Sequence, residues 1–373
     1  MAGLYIHIPF CKSRCAYCDF YSTTLLAHRE AYIEAVGREL KLRRSELKDE
    51  PIETIYLGGG TPSALEVEDL HRLFDHIDCP ATATEITLEA NPDDLTDVYV
   101  QALRNLPINR ISIGIQSFHD RTLKLVGRRH TAEQAIEAVR RCQRSGLTNI
   151  SIDLIYGMPG ESLNDWDYSL QQAIALEVPH ISAYHLTYEE DTRLWLMKEQ
   201  GKVTPIDEEQ SIKAFELLRT HLLAAGYEHY EISNFAQPGY HSRHNSSYWK
   251  GIPYLGIGPG AHSYDGNSRR WNLSNVTEYI ATPEGADVPH EIEQLTTEER
   301  YDERIITELR TAQGINLTQL LTDFGPTYHQ HCLQYAATYI KQKQLIHTAD
   351  EYLRLTPDSI FISDAIMRDL MAL

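Results

Sequence analysis

Across the first 190 residues, short β-rich runs alternate with amphipathic stretches, and this alternation limits the possible folds more than any other feature. The runs are LYIHIP (4–9), TIYLGG (54–59), EITLEA (85–90), RISIGIQ (110–116), ISIDLIYG (150–157) and ISAYHL (181–186). Each is rich in Ile, Leu and Tyr and ends near Gly, Pro or a polar residue, as strands do. Between them apolar residues recur at helical spacing: Tyr32, Ala35, Val36, Leu40 and Leu47, then segments 66–77, 95–106, 132–144 and 164–176. Six strand–helix pairs in series call for an α/β fold of parallel strands joined by crossover helices. Six are too few for a closed eight-stranded barrel, which leaves an open (β/α)6 partial barrel or a doubly wound sheet. Both architectures collect ligands at the C-terminal ends of the strands, so the residues just after each run are the ones to read for chemistry.

The pattern divides the chain into a core over 1–200, an extension over 201–290 and a tail over 291–373. The extension opens with a helix (208–225) and continues through YEHYEISNFA into HSRHNSSYWKGIPYLGIGPGAHSY; residues 281–299 read as a linker. In the tail, Tyr301, Ile305, Ile306 and Leu309 form a helical stripe, and a second helix and YLRLTPDSIFIS (352–363) give a helical, winged-helix-like pattern. Residues 301–373 carry six Lys and Arg against nine Asp and Glu, the wrong sign for a DNA reader. The whole chain has a net charge of −19, which argues against nucleic-acid partners. No run of 18 apolar residues reads as a membrane span, and the start MAGLYIHIPFC lacks the form of a signal peptide. The expected location is cytoplasmic.

Three of the six cysteines cluster as Cys11-Lys-Ser-Arg-Cys15-Ala-Tyr-Cys18, in the loop after the first strand. The others, Cys79, Cys142 and Cys332, are scattered and read as small buried residues, with a thiolate ligand to heme iron as the alternative. Thiolates suit zinc or iron–sulfur clusters. Zinc wants a fourth ligand, for which His7 is the candidate. A four-iron cluster held by three cysteines keeps one iron open for a small molecule. Three buried structural cysteines are the remaining reading.

This C-x3-C-x2-C loop after a first strand resembles the radical S-adenosylmethionine (SAM) superfamily. That resemblance implies a [4Fe-4S] cluster on Cys11, Cys15 and Cys18, with SAM on the open iron. It also implies SAM contacts from Tyr5 and Tyr17, and from Gly59, Gly60 and Thr61 in GGGTP after the second strand. Four more contacts are implied: Glu89 in LEANP, Gln116 in GIQSF, Arg128 in GRRH and Asp153 in IDLIYGMPG. Arg128 suits the SAM carboxylate, Glu89 the ammonium, and Gln116 and Asp153 the ribose; the alternative is that these groups satisfy one another.

Within the superfamily the chain is similar throughout to the coproporphyrinogen-dehydrogenase-like branch, where two groups compete. One is the oxygen-independent coproporphyrinogen III dehydrogenases of porphyrin biosynthesis, radical SAM oxidoreductases. The other is the heme chaperones. Phe20 stands where the dehydrogenases carry a further cysteine, the N-terminal extension of the dehydrogenases is not expected before Cys11, and His244-Asn245-Ser246-Ser247-Tyr248-Trp249 matches the H-N-x-x-Y-W signature of the chaperones. The resemblance therefore implies a heme chaperone without dehydrogenase turnover. It would bind heme at His244, Tyr248 and Trp249, with His244 on the iron and His241 or His262 in reserve. It would pass heme to acceptors such as respiratory enzymes, touching membranes only peripherally. The competing reading of the signature is a loop in which His244 only makes hydrogen bonds and Trp249 plugs the barrel.

Overall fold

The computed structural model describes residues 1–47, 50–77 and 81–372, so Cys79 lies outside the described residues. The core alternates as expected: β1 (Ala2–Ile8), α1 (Arg29–Arg43), β2 (Ile52–Gly59), α2 (Val67–Ile77), β3 (Glu85–Ala90), α3 (Asp97–Leu103), β4 (Arg110–Gln116), α4 (Asp120–Leu125), α5 (Ala132–Ser145), β5 (Ile150–Tyr156), α6 (Leu163–Ala175) and β6 (His180–His185). Strands β1 to β6 pair in chain order and all in parallel. A doubly wound sheet reverses direction part-way, and this one does not. With right-handed crossovers, a constant direction of travel puts every helix on the same face. The core is thus a partial barrel.

The strand registers place alternate residues on opposite faces. Ile6, Leu57, Leu88, Ile113, Ile152 and Ile181 point toward the helices and have no exposed surface. Tyr5, Tyr56, Glu89, Ser112, Asp153 and Ser182 share the other face, the lumen. Buried parallel strands are usually apolar on both faces. Here one face carries the core and the other is polar.

Helices α7 (Arg193–Glu199) and α8 (Glu208–Ala224) lead into β7 (Glu228–Glu231), β8 (Asn234–Ala236), α9 (Arg243–Trp249), β9 (Tyr254–Ile257), β10 (His262–Tyr264), β11 (Ser268–Asn272), α10 (Val276–Ala281) and β12 (His290–Gln294). These strands extend both edges of the barrel into one open sheet of twelve, with β9 parallel to β1 and β8 antiparallel to β6. Two expectations are corrected here. The supposed linker contains β12, which pairs with β11, and the His244 signature is a helix rather than a loop.

The tail comprises α11 (Thr297–Leu309), β13 (Ile315–Asn316), α12 (Leu317–Lys341), β14 (Leu345–His347), β15 (Tyr352–Leu355) and α13 (Ser363–Leu370). Gly325, at φ 80°, and Pro326 break α12 into two helices. A small antiparallel sheet, β13-β15-β14, supplies the wing. Tyr301, Ile305, Leu309, Cys332, Leu353 and Ile366 belong to a second core of the tail's own. An ion pair of 3.2 Å from Arg310 Nε to Glu231 ties the tail to the sheet. Among the described residues no helix is long and apolar enough to cross a membrane.

Candidate functional site

At the C-terminal ends of β1 to β6 lies a cavity of about 550 Å³. It is lined by Cys11, Cys15, Cys18, Tyr17, Gly59, Gly60, Thr61, Glu89, Gln116, Arg128 and Asp153. Every residue the sequence singled out for the cluster and SAM therefore meets there, except Tyr5. Tyr5 sits deeper in the lumen, its ring 6.2 Å from that of Tyr56.

The cysteine loop is pinned on several sides. Cys11 N donates to Thr23 O at 2.9 Å, and Ala16 N donates to Val126 O at 2.8 Å. The Lys12 ammonium reaches the buried Asp94 at 2.7 Å. Burial pushes the Cys18 thiol up to about 11 and raises that of Cys11 as well. Coordination by a cation reverses such a penalty. Among the described residues no three His, Cys, Asp or Glu side chains converge as a single-ion site. The zinc alternative also lacks its fourth ligand, because the two His7 ring nitrogens face Tyr5 OH at 3.1 Å and Tyr21 O at 2.9 Å. A cubane distributes its thiolates over separate irons, so this donor set fits a four-iron cluster better than zinc.

Beside the thiols, the half-buried Arg128 guanidinium donates to Asn91 Oδ1 at 2.6 Å, to Gly114 O and to Cys15 Sγ at 3.5 Å. Its Nε has no partner, and it forms no ion pair among the described residues. A half-buried guanidinium with an unpartnered Nε and no carboxylate beside it fits an anionic ligand. Opposite it, Glu89 accepts from Tyr56 OH at 2.8 Å and from Gly59 N at 3.2 Å. Burial outweighs both bonds and holds the Glu89 carboxyl up at about 7. Asp153 is raised for the same reason, although Ser112 Oγ lies 3.3 Å away. Gln116 closes β4 at φ 69°, a strained conformation that aims the strand end into the cavity.

The backbone amides of the glycine run are engaged within the protein rather than bared to the cavity. Gly59 N is spent on Glu89, Gly60 N donates to Ile8 O at 2.8 Å, and Thr61 N donates to Phe10 O at 2.8 Å. The value of the glycines is space: a Cβ on Gly60 would come within 2.9 Å of the Ile8 and Phe10 carbonyls.

Helix α9 closes the other end of the barrel. Ser242 caps it, and Glu85, at the start of β3, accepts from Arg243 N at 3.0 Å and His244 N at 2.9 Å. The His244 ring is 5.0 Å from that of Tyr56, against the barrel floor, with Nδ1 at 2.8 Å from Thr54 Oγ1 and Nε2 at 2.8 Å from Tyr248 OH. It is 1% exposed, and burial lowers its pKa to about 3. As folded, the imidazole has no free nitrogen to offer iron; the reading in which it only makes hydrogen bonds describes it better. Tyr248 and Trp249, by contrast, open onto a cleft of about 500 Å³ facing the tail, and Trp249 also lines a second cleft of about 620 Å³. Cys142 and Cys332 are fully buried, each with its thiol pushed up to about 12.

Among the polar residues that escaped the sequence reading are Asn91 and Ser112, which line the cavity, and Tyr56, which holds Glu89 from below it. Tyr56 and Ser112 break apolar runs at every second position, a period-2 signal that marks a polar face even in parallel strands. Asn91 follows Glu89 in the LEANP turn.

Residues 5–173 match the family model described as Radical SAM superfamily, and residues 295–362 match the HemN C-terminal domain. Among curated proteins, the heme chaperone HemW of Bacillus subtilis (strain 168) is 32% identical over 95% of both chains. HemW of Mycobacterium tuberculosis is 34% identical over 99% of this chain and 94% of its own. HemW of Escherichia coli (strain K12) is 39% identical over 70% of this chain and 69% of its own. Among solved structures, the coproporphyrinogen III oxidase HemN of Escherichia coli, titled a radical SAM enzyme, superposes with a TM-score of 0.84. It is 21% identical and covers 100% of this chain and 90% of its own, a likeness of fold.

Proposed function

The chain belongs to the HemW heme-chaperone family of the radical SAM superfamily, and from that premise we propose that it binds heme and delivers it to acceptor hemoproteins. The observation that carries this reading is the pair of clefts on either side of Trp249, where flat aromatic faces and cations stand together. A porphyrin needs both, one for its ring and one for its propionates. Tyr248, held by His244, and Trp249 form the wall against which the ring packs. Acceptors such as respiratory enzymes would be met from the cytoplasm, through peripheral contact with the membrane.

Cys11, Cys15 and Cys18 would hold a [4Fe-4S] cluster and leave its fourth iron to SAM. Together these cofactors supply one-electron chemistry when bound. The chain's own residues would then orient SAM: Arg128 through its carboxylate, Glu89 through its ammonium, Gln116 and Asp153 through the ribose, and Tyr17 beside the adenine. Gly59, Gly60 and Thr61 give it room, and Tyr5 supports Tyr56 from below. Anaerobic titration of heme into the cluster-loaded protein, followed by addition of an apo-hemoprotein, tests the main claim. Saturation near one heme per chain and stoichiometric transfer are expected; failure to hold heme sinks the reading.

The intact cavity for SAM is the one observation favouring a second reading, an oxygen-independent coproporphyrinogen III dehydrogenase. Anaerobic turnover of coproporphyrinogen III with SAM and a reductant would establish it, and SAM cleavage without decarboxylated product would count against it.

A further inference from the structure

We infer that the axial ligand to heme iron is His241, in the groove between α9 and the tail, with Glu228 as its positioning partner. This inference rests on the heme-binding reading and goes on to locate the iron. An axial imidazole needs one nitrogen free and reachable, and its other N–H held by an acceptor that fixes the ring. His244 fails on both counts, being buried with both nitrogens engaged. His262 lies on β10 with its ring 5.9 Å from that of Trp271, and it lines neither cleft.

His241 meets the requirement. Its side chain is 42% exposed, and Nε2 lies 2.8 Å from Glu228 Oε2. Nδ1 has no hydrogen-bond partner among the described residues and is the atom offered to iron. The ring lies flat on Tyr230, with centroids 4.2 Å apart and planes 12° apart. Tyr230 is itself anchored, its hydroxyl 2.7 Å from His180 Nε2. The orientation of the imidazole is therefore set from the edge and from the face before any ligand arrives.

The groove beside it fits the rest of the molecule. His241, Trp249, Lys250, Arg304 and Tyr352 line the cleft of about 620 Å³, which shares Trp249 and Arg304 with its neighbour of about 500 Å³. Trp249 is braced from behind by Arg310, whose guanidinium lies 4.3 Å from the ring centroid. Arg304 already divides its charge between Glu308 at 3.2 Å and Asp323 at 3.1 Å. Lys250 forms no ion pair among the described residues, so it is the cation free to meet a propionate. Arg304 and Tyr352 come from the tail, so the site is complete only when sheet and tail are together.

The test is titration of hemin into the full-length, cluster-loaded wild type and into His241→Ala and Glu228→Gln, read by Soret absorption and by the iron–histidine signature in resonance Raman. Metal-free protoporphyrin IX serves as the control ligand. His241→Ala is expected to lose at least about tenfold in hemin affinity together with the histidine signature, while binding the metal-free porphyrin as wild type does. Glu228→Gln is expected to keep the ligand but weaken hemin by about tenfold and shift the iron–histidine band. A His241→Ala variant with wild-type hemin affinity and an unchanged signature overturns the assignment and leaves the heme reading standing. A wild type that binds no hemin removes both. Circular dichroism melts of the two variants, both changed at exposed positions, check that they are folded.

Discussion

The two ends of the barrel are built from the same six strands, yet the groups around the cysteine loop and the groups around α9 are left in different conditions. At the C-terminal ends Arg128 is half-buried without an ion-pair partner among the described residues, Glu89 is pushed toward neutrality, and Gln116 holds a strained backbone. At the N-terminal ends His244, Thr54, Tyr248 and Glu85 satisfy one another through bonds of 2.8 to 2.9 Å. Unmet demands suit a ligand, and met demands mark the α9 cluster as a structural joint; Arg110 Nε and Thr87 Oγ1, buried beside that cluster, lack partners of their own. His244 belongs to the joint, while Tyr248 joins it through its hydroxyl and also lines the cleft beside Trp249.

The largest expected effect separates the clustered cysteines from the buried ones. Cys15→Ser should abolish iron retention after reconstitution, whereas Cys142→Ser should leave iron per chain unchanged. Equal iron in the two variants would show that the loop does not hold the cluster.

Next comes the joint. His244→Ala strands the Thr54 and Tyr248 hydroxyls and opens a cavity, at a cost of about 3 kcal/mol in urea unfolding. His241→Ala, at an exposed position, should cost under about 1 kcal/mol. The pH dependence adds a sign. His244 is held down to about 3 from 6.5, so its unfolded form takes up protons first and stability falls as pH drops through that window. His244→Gln should remove that part of the acid sensitivity. A variant with the slope of wild type would show that His244 is not the neutral, buried group described above.

The smallest effect has the opposite sign and belongs to the end with the cysteine loop. Glu89 is raised from 4.5 to about 7, so its contribution to the ligand-free fold is full below about 4.5 and lost as pH rises through about 7. The ionised form is the one that attracts an ammonium. SAM affinity should therefore increase with pH up to about 7, by at most about tenfold per unit, and then level off. Glu89→Gln should flatten that profile in calorimetric titrations; a profile unchanged in the variant would reassign the ammonium contact.

Much of this was legible in the residues. The six runs located β1 to β6 closely, because each combines β-forming residues with a sharp turn signal. The cysteine triplet and the polar residues near strand ends located the cavity, because parallel strands deliver their C-terminal ends to one place. Helix α9 was not legible, since its start depends on Glu85, far away in the chain, as well as on Ser242. The burial of His244 depends on contact with Thr54 and Tyr56, which the spacing of H-N-x-x-Y-W does not encode. β12 was hidden because its residues, HEIEQ, are mostly exposed on the outermost strand and carry little apolar signal.

Helix α9 covers the floor of the barrel, and the cavity with the cysteine loop lies at the other end. His244 lies against Gly3 at the start of β1, where a Cβ would sit 3.3 Å from the ring, while Phe20 and Tyr184 stand exposed around the opposite mouth. From Thr54 to Gly59 the strand rises about 17 Å, and the lower part of that depth is filled by the rings of Tyr5, Tyr56 and His244. The cavity therefore ends at Glu89, Ser112 and Asp153, and a ligand enters and leaves it on the side of the cysteine loop. The groove on the far side of α9 shares no lining residue with this cavity, so filling one leaves the entrance of the other free.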